Sequence, residues 1–427
     1  MTKNYIHEHR SGANGYILFL YIYFVIDFFL HLSQRIPGYG VVRPTLLLVI
    51  LITALLFLNK EKLPKIGSEP SIKAILYLMV YIIVTLPLVK WPGSVLFHNI
   101  PEYIKAVVYF FFTALIINSE KRLYIFLFVF CASQVFRVME PLYLYLSEGY
   151  LGGETYLGGG EFAGRLGGAA ADVVNANGLG FVIVTVIPFL HYLLWKSGTK
   201  LYKMIYLGIM PLLIYALILT MSRGSFLALL VVLWMIFKES KRKVLMVMFL
   251  VCSVFIIWPN LSDIQKDRYM SLVSSHAIQS NTAEGRYTGM ASELKIGFRR
   301  PIFGHGLGTS MEARFNETGV AQISHNTYEE VFMELGIVGL IIFIYFIKSI
   351  YDKYRENIKS LHSRYGDDGG SFPVRLNAAF GAIFWMYILF SFNYFGLSQY
   401  HWYLFAGLMV AFSRIYCSER ERSDNGP

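Results

Sequence analysis

The chain has 427 residues, 55% of them hydrophobic, 16% aromatic and 15% charged, with a mean hydropathy of +0.49. A soluble domain of this length needs far more charge to cover its surface, so a soluble globular fold is excluded. The formal net charge of +10 comes from basic residues clustered in short connections between apolar runs, a topology signal that argues against nucleic acid as a partner.

The polar segment Met1–Gly15 leads into an apolar run ending near His31, with no small-x-small cleavage site after it. That run reads as a first membrane span and not as a cleaved leader. Apolar runs recur at 44–59, 72–89, 101–118, 122–146 and 178–195, then at 202–220, 224–238, 243–259, 329–348, 374–395 and 399–416. Runs of about 16 to 22 residues can cross a hydrocarbon core of about 30 Å. The expectation is an all-α polytopic membrane protein, one transmembrane domain over residues 1–427 with about twelve spans.

An even number of spans places both termini on one side. With the N-terminus inside, the inner connections carry Lys60, Lys62, Lys65, Lys121, Arg122, Lys196, Lys200, Lys203, Lys241 and Arg242, and further basic residues beyond Lys348. The short outer connections hold only Arg35, Arg43, Lys90, Arg165 and Arg223. The positive-inside rule then sets both termini in the cytoplasm; the segment 260–328 is too long to count in that comparison. Two outer segments exceed simple turns, the glycine-rich 147–177 and the large loop 260–328 before the tenth span. The inner segment 349–373 reads as a charged, solvated connector. Length invested in outer loops places the working surface outside.

Arg223 is the most informative residue. Thr220-Met221-Ser222-Arg223-Gly224 joins two spans with almost no loop, and Gly224–Phe237 is about 14 residues, or about 21 Å of helix. Arg223 is therefore expected below headgroup level, where a guanidinium needs an anion. That anion is either a side chain such as Asp172 or the phosphate of a lipid-linked substrate, whose oxygens match the planar donors. Ser324-His325-Asn326-Thr327-Tyr328-Glu329-Glu330 precedes another span, and Thr327 with Glu330 reads as a capping box. His325 then sits just outside a helix N-terminus, which disfavours the imidazolium and suits a general base; a structural hydrogen-bonding role is the alternative.

The large outer loop supplies Arg286, within Glu284-Gly285-Arg286-Tyr287, as a second cationic candidate. The adjacent Arg299 and Arg300 suit anionic groups or simple solvation. Gly304-x-Gly306-x-Gly308 follows no strand, so it reads as a sharp turn or close backbone approach and not as a nucleotide fingerprint. Arg165 in the glycine-rich loop is a weaker candidate for the same outer cavity, and Asn177 is read as the cap of the helix behind it. Asp27, Arg137 and Glu140 are intramembrane ionisable residues without a repeated pattern. The outer loops lack paired metal-ligand motifs, and Asp263 with Asp267 finds no third ligand, so metal-independent chemistry is expected. Cys131, Cys252 and Cys417 indicate neither a disulfide framework nor a metal site.

Ser222-Arg223-Gly224 opening a span, and Arg286 followed after ten residues by Gly297, resemble the O-antigen ligase/polymerase superfamily of bacterial envelope glycosyltransferases. So do Pro301-Ile302-Phe303-Gly304-His305-Gly306-Leu307-Gly308 and Ser324-His325-Asn326-Thr327-Tyr328 running into Glu334-Leu335-Gly336-Ile337-Val338-Gly339. The specific motifs fall within 165–340, and elsewhere the likeness is one of topology. The resemblance implies an inner-membrane enzyme that takes glycan from undecaprenyl pyrophosphate at the periplasmic face, without metal or cofactor. Arg223 and Arg286 would bind the pyrophosphate and His325 would deprotonate the acceptor hydroxyl, giving inverting transfer. Arg165, Arg299, Arg300 and Asn326 are secondary substrate-binding candidates. A chain-length regulator or a flippase is a candidate partner besides the lipid-linked glycan and the bilayer. A polymerase of repeat units is preferred to a ligase acting on lipid A-core because polymerases make up much of the superfamily, not because of any residue. A lipid-linked glycan transporter is the remaining alternative, and it would place its ionisable groups at midplane.

Overall fold

The computed structural model describes residues 15–158, 161–172, 174–271, 280–321, 324, 326–366, 368–394 and 396–417, the side chains at 157, 158, 161 and 280–288 excepted. Five long helices come first: α1 (Gly15–Leu30), α2 (Pro44–Leu58), α3 (Pro70–Thr85), α4 (Ile100–Ile116) and α5 (Glu120–Glu148). Strands β1 (Gly152–Gly158) and β2 (Glu161–Leu166) precede α6 (Ala176–Leu193), α7 (Lys200–Thr220), α8 (Arg223–Glu239) and α9 (Lys243–Ile257). Three shorter helices, α10 (Asp263–Met270), α11 (Ser280–Gly297) and α12 (Ser310–Thr318), lead to α13 (Thr327–Tyr365), α14 (Phe372–Phe390) and α15 (Tyr400–Tyr416).

Counted with the short helical turns that continue them, as in Tyr39–Leu58, Pro70–Leu88, Pro92–Ile116 and Lys243–Asn260, nine helices among the described residues are long and apolar enough to cross a membrane. This is a polytopic membrane protein. Helices α1, α8 and α15 occupy the other three expected span positions but have only 16, 17 and 17 residues. At 1.5 Å per residue each is about 25 Å long, short of a full hydrocarbon core.

Side-chain contacts sort the connections into two ends. At one end His31 lies 3.3 Å from Asp172, Asn99 Nδ2 donates to Leu307 O at 2.7 Å, and Thr327 N donates to Ser391 O at 2.8 Å. At the other, Lys353 pairs with Glu69 at 3.0 Å, Lys196 with Glu239 at 3.0 Å, and Arg414 Nη2 donates to Ile117 O at 2.7 Å. The intramembrane ionisable residues pair locally near the first end. Arg137 forks onto Asp172 (2.7 and 3.0 Å), Thr45 donates to Asp27 (2.6 Å), and Arg35 pairs with Glu140.

The all-α expectation needs one correction. The glycine-rich segment folds as an antiparallel hairpin, with Gly153 opposite Arg165 and Thr155 opposite Ala163. Tyr156 faces Phe162 across the ladder with ring centroids 5.3 Å apart, a cross-strand aromatic pair of the kind that stabilises such ribbons. Abundant glycine masks the short alternation.

Helix α13 differs from its expected form in two ways. It breaks at Gly336 (φ 65°, ψ −168°), and the Pro301–Gly308 turn fills the break. Ile337 N donates to Pro301 O (2.8 Å), His305 N to Met333 O (3.0 Å) and Gly306 N to Glu334 O (2.8 Å), so carbonyls released by the break are taken up by the turn. A Cβ at Gly304 (φ +70°) would lie 2.3 Å from the Glu334 carbonyl, and one at Gly336 would lie 2.2 Å from Ile302 O. Close backbone approach is thus what these glycines permit. Beyond the span, α13 continues as helix to Tyr365, with Asn357 and Leu361 buried on one side and Arg355, Lys359 and Arg364 exposed.

Candidate functional site

The α7–α8 turn is the centre of the candidate site. Met221 takes a left-handed conformation (φ 47°) and Ser222 caps α8 by accepting from Ser225 N. The turn needs little sequence because Gly180 of α6 lets α8 pack closely: a Cβ there would lie 2.3 Å from Ser225 Oγ. Arg223 is the first residue of α8 and is buried, with Nη1 donating to Ser271 Oγ at 2.8 Å. A cation at the positive end of a helix is unfavourable by itself, and a bound anion relieves that conflict.

Two further arginines grip the same turn. Arg165 of β2 donates through Nε to Thr220 O (2.8 Å) and through Nη2 to Asn177 Oδ1 (2.8 Å). Arg268 of α10 donates through Nε to Met221 O (2.6 Å) and through Nη1 to Thr155 Oγ1 (2.9 Å). Both are buried, so guanidiniums from a hairpin, a span and a loop helix meet at successive residues of one turn. Arg268 is absent from the sequence reading. Its one signal is the helix start Ser262-Asp263-Ile264-Gln265, where Ser262 and Gln265 form a capping box.

Asp172 does not serve Arg223 through any hydrogen bond or ion pair among the described residues; its carboxylate lies between Arg137 and His31. Asn177 is not the cap of α6. Asn175 is, accepting from Gly178 N at 2.9 Å, which leaves Asn177 to orient Arg165. The Thr327–Glu330 capping box is likewise replaced. Asn326 caps α13, accepting from Tyr328 N (3.0 Å) and Glu329 N (3.5 Å). Thr327 Oγ1 instead donates to Tyr394 O (2.6 Å), and Glu330 accepts from Gly396 N (2.7 Å). Asn326 is therefore a buried structural cap.

His325 lies outside the described residues, but both neighbours are held. Ser324 Oγ donates to Glu293 Oε2 at 2.6 Å, and Glu293 is fixed in turn by Arg314 at 2.7 Å. Ser324 is thus tied to α11 and α12, and the first residues of α13 to the α14–α15 connection. That connection also touches the arginine turn: a Cβ at Gly224 would lie 3.3 Å from Asn393 Cβ. One stretch, 390–397, therefore backs both the start of α8 and the start of α13.

The remaining candidates are dispersed. The backbone of Arg286 lies in α11, while its side chain is outside the described residues. Arg299 is exposed and pairs with Glu317, and Arg300 Nη1 donates to Leu88 O at 2.8 Å. Neither is brought to the turn by these contacts. His305 of the glycine turn donates through Nε2 to Ile296 O (3.1 Å), and burial holds its imidazole below the ordinary value of 6.5. Among the described residues no group of three or more His, Cys, Asp or Glu could hold a metal ion, and the three cysteines are free.

Comparison with known proteins places a family on this geometry. Residues 208–344 match the family model described as O-antigen ligase, a match over about a third of the chain. It includes the α7–α8 turn, Arg268, the glycine turn and the start of α13. No curated protein matches the chain. Members of the family are glycosyltransferase-like enzymes of polysaccharide biosynthesis that act on lipid-linked glycans in membranes, and they include ligases and polymerases. Over these residues the chain is similar to the O-antigen ligase family.

Proposed function

We propose that this protein transfers glycan from a polyprenyl-pyrophosphate donor at the periplasmic face of the bacterial inner membrane, polymerising lipid-linked repeat units. The observation that carries the reading is the arginine turn, with Arg165, Arg223 and Arg268 meeting at residues 220–223. Arg223, at the head of α8, binds the pyrophosphate, with Arg286 as second cation. Preorganised donors aimed at the leaving group stabilise the charge that develops as the anomeric bond breaks. His325 takes the proton from the acceptor hydroxyl as that oxygen attacks the anomeric carbon with inversion. The energy is already stored in the pyrophosphate linkage, so no cofactor enters the scheme.

Reconstitution with lipid-linked repeat units, with and without lipid A-core, tests the proposal. A polymerase lengthens the lipid-linked glycan without lipid A-core. The alternative, an O-antigen ligase, yields product only when lipid A-core is present. Arg223→Ala, Arg286→Ala and His325→Ala should each abolish transfer while membrane insertion is retained. Near-normal transfer by the Arg223→Ala, His325→Ala double variant would overturn the mechanism.

A further inference from the structure

At the end of the bundle opposite the arginine turn, a cavity of about 390 Å³ lies between the segment preceding α3, the far part of α13 and the end of α15. Lys65, Lys353 and Arg414 line it, with Glu69 and Glu356 as the acidic members. Lys353 engages both carboxylates, at 3.0 Å from Glu69 and 3.1 Å from Glu356. Among the described residues the wall therefore has one cation more than it has carboxylates. Arg414 is anchored there by Nη2, which donates to Ala114 O (2.8 Å) and Ile117 O (2.7 Å). Lys65 and Glu356 are exposed, so the cavity reaches the surface at the level where the charged helix ends gather.

Asn357 is the unusual member of this wall. Its exposure is 0%, and neither Nδ2 nor Oδ1 has a hydrogen-bond partner among the described residues. Buried amides are normally satisfied, and an unpaired one is costly. A leucine would fill a purely packed position without that cost. The amide instead offers the cavity one acceptor and two donor hydrogens. The ligand it suits carries both an acceptor oxygen and a hydroxyl, and the surplus cation adds a preference for negative charge.

We infer that this cavity binds a phosphate ester bearing free hydroxyls, and we assign it to the glycerol-phosphate headgroup of an anionic phospholipid in the leaflet opposite the arginine turn. The phosphate lies toward Lys65 and Arg414, and the glycerol hydroxyls meet Asn357. Basic pockets between spans at the inner interface suit such headgroups, and a soluble glycerol phosphate presents the same groups. The site is separate from the proposed donor site, so it stands or falls independently of the transfer mechanism.

The test uses the full chain purified in detergent and follows thermal unfolding during titration with phosphatidylglycerol, phosphatidylcholine or soluble glycerol 1-phosphate. Phosphatidylglycerol should raise Tm saturably and phosphatidylcholine should not. Asn357→Leu should weaken the apparent affinity at least about tenfold, the scale of losing two hydrogen bonds. Lys65→Gln, at the exposed rim, should weaken it several-fold without changing the ligand-free Tm, and it carries the test should Asn357→Leu not fold. A saturable response to soluble glycerol 1-phosphate that both substitutions weaken supports the same chemistry with a source in solution. Equal responses to the two phospholipids, or a phosphatidylglycerol response unchanged by the substitutions, would overturn the assignment.

Discussion

Replacing Arg268 by Met should lower glycan transfer by about 100-fold, although in the proposed reaction Arg268 acts through the turn and not on the donor. Its guanidinium supplies two hydrogen bonds, to Met221 O at 2.6 Å and to Thr155 Oγ1 at 2.9 Å, and is 5% exposed. Hydrogen bonds from a charged donor contribute about 1.5–3 kcal/mol each, so their loss removes about 3–6 kcal/mol of restraint. The Met221 carbonyl would stay buried in a left-handed residue without that donor, and β1 would lose its tie to α10. A shift of about 1 Å in a reacting group costs on the order of 100-fold, about 2.7 kcal/mol, within the restraint removed. Arg268→Lys reaches one acceptor and not both, so it should fall between, at about tenfold. Initial rates in proteoliposomes, with Tm measured on the same preparations, provide the assay. Transfer by Arg268→Met within about twofold of the unmodified protein, at an unchanged Tm, would refute the clamped-turn reasoning.

The two asparagines near the start of α6 should separate cleanly. Asn175→Ala removes the cap and should cost about 1 kcal/mol of stability, read from denaturant or thermal unfolding. Asn177→Ala should leave stability nearly unchanged yet lower transfer several-fold, because it releases one arm of Arg165. Gly304→Ala combines a left-handed backbone with a Cβ 2.3 Å from the Glu334 carbonyl, and should destabilise by about 3 kcal/mol as a lowered Tm. For His305, burial lowers the folded-state pKa, so the unfolded chain binds the proton more readily. The stability gained from the neutral imidazole is complete above about pH 6.5 and is lost as pH falls below it. His305→Gln should flatten that part of the Tm-against-pH curve between pH 7.5 and 5.5.

The apolar helices were legible because each is a long apolar run, and apart from α13, which runs on to Tyr365, they begin and end within a few residues of those runs. Other features depend on contacts between segments far apart in the chain. Asp172 finds Arg137 and not Arg223, because the glycine-rich loop folds back as a hairpin over α5. The break in α13 is invisible as a breaker, since Gly336 sits among apolar residues. What it requires is the Pro301–Gly308 turn docking from about 30 residues upstream. Asn326 takes the cap from Thr327 because Tyr394 O and Gly396 N occupy the side chains that would have formed the box. Arg223 stands out in the sequence because a charge beside a two-residue connection between spans has few explanations. Arg268 does not, because an arginine in a polar loop has many.

The two halves of the proposed site are built differently, and this bears on polymerase against ligase. The donor half belongs to the bundle, with the α7–α8 turn packed on α6 through Gly180 and gripped by Arg165 and Arg268. The acceptor half includes Ser324 and Asn326, with Ser324 tied to the outer loop through Glu293 and Arg314 and Asn326 capping α13. Both activities take the same lipid-linked donor and differ in the hydroxyl that attacks. Acceptor choice therefore belongs to the loop side, on α11 and α12 around the Glu293–Arg314 pair. Glu293→Gln tests that division. It leaves the partly buried Arg314 guanidinium without its carboxylate, at a cost of up to about 3 kcal/mol if the pair breaks fully. A loosened acceptor segment should raise the acceptor KM and lower kcat while donor affinity, measured as pyrophosphate inhibition, stays within about twofold. Equal loss of donor and acceptor affinity in folded protein would mean that the halves are not separable in this way, and acceptor choice would have to be sought in the bundle.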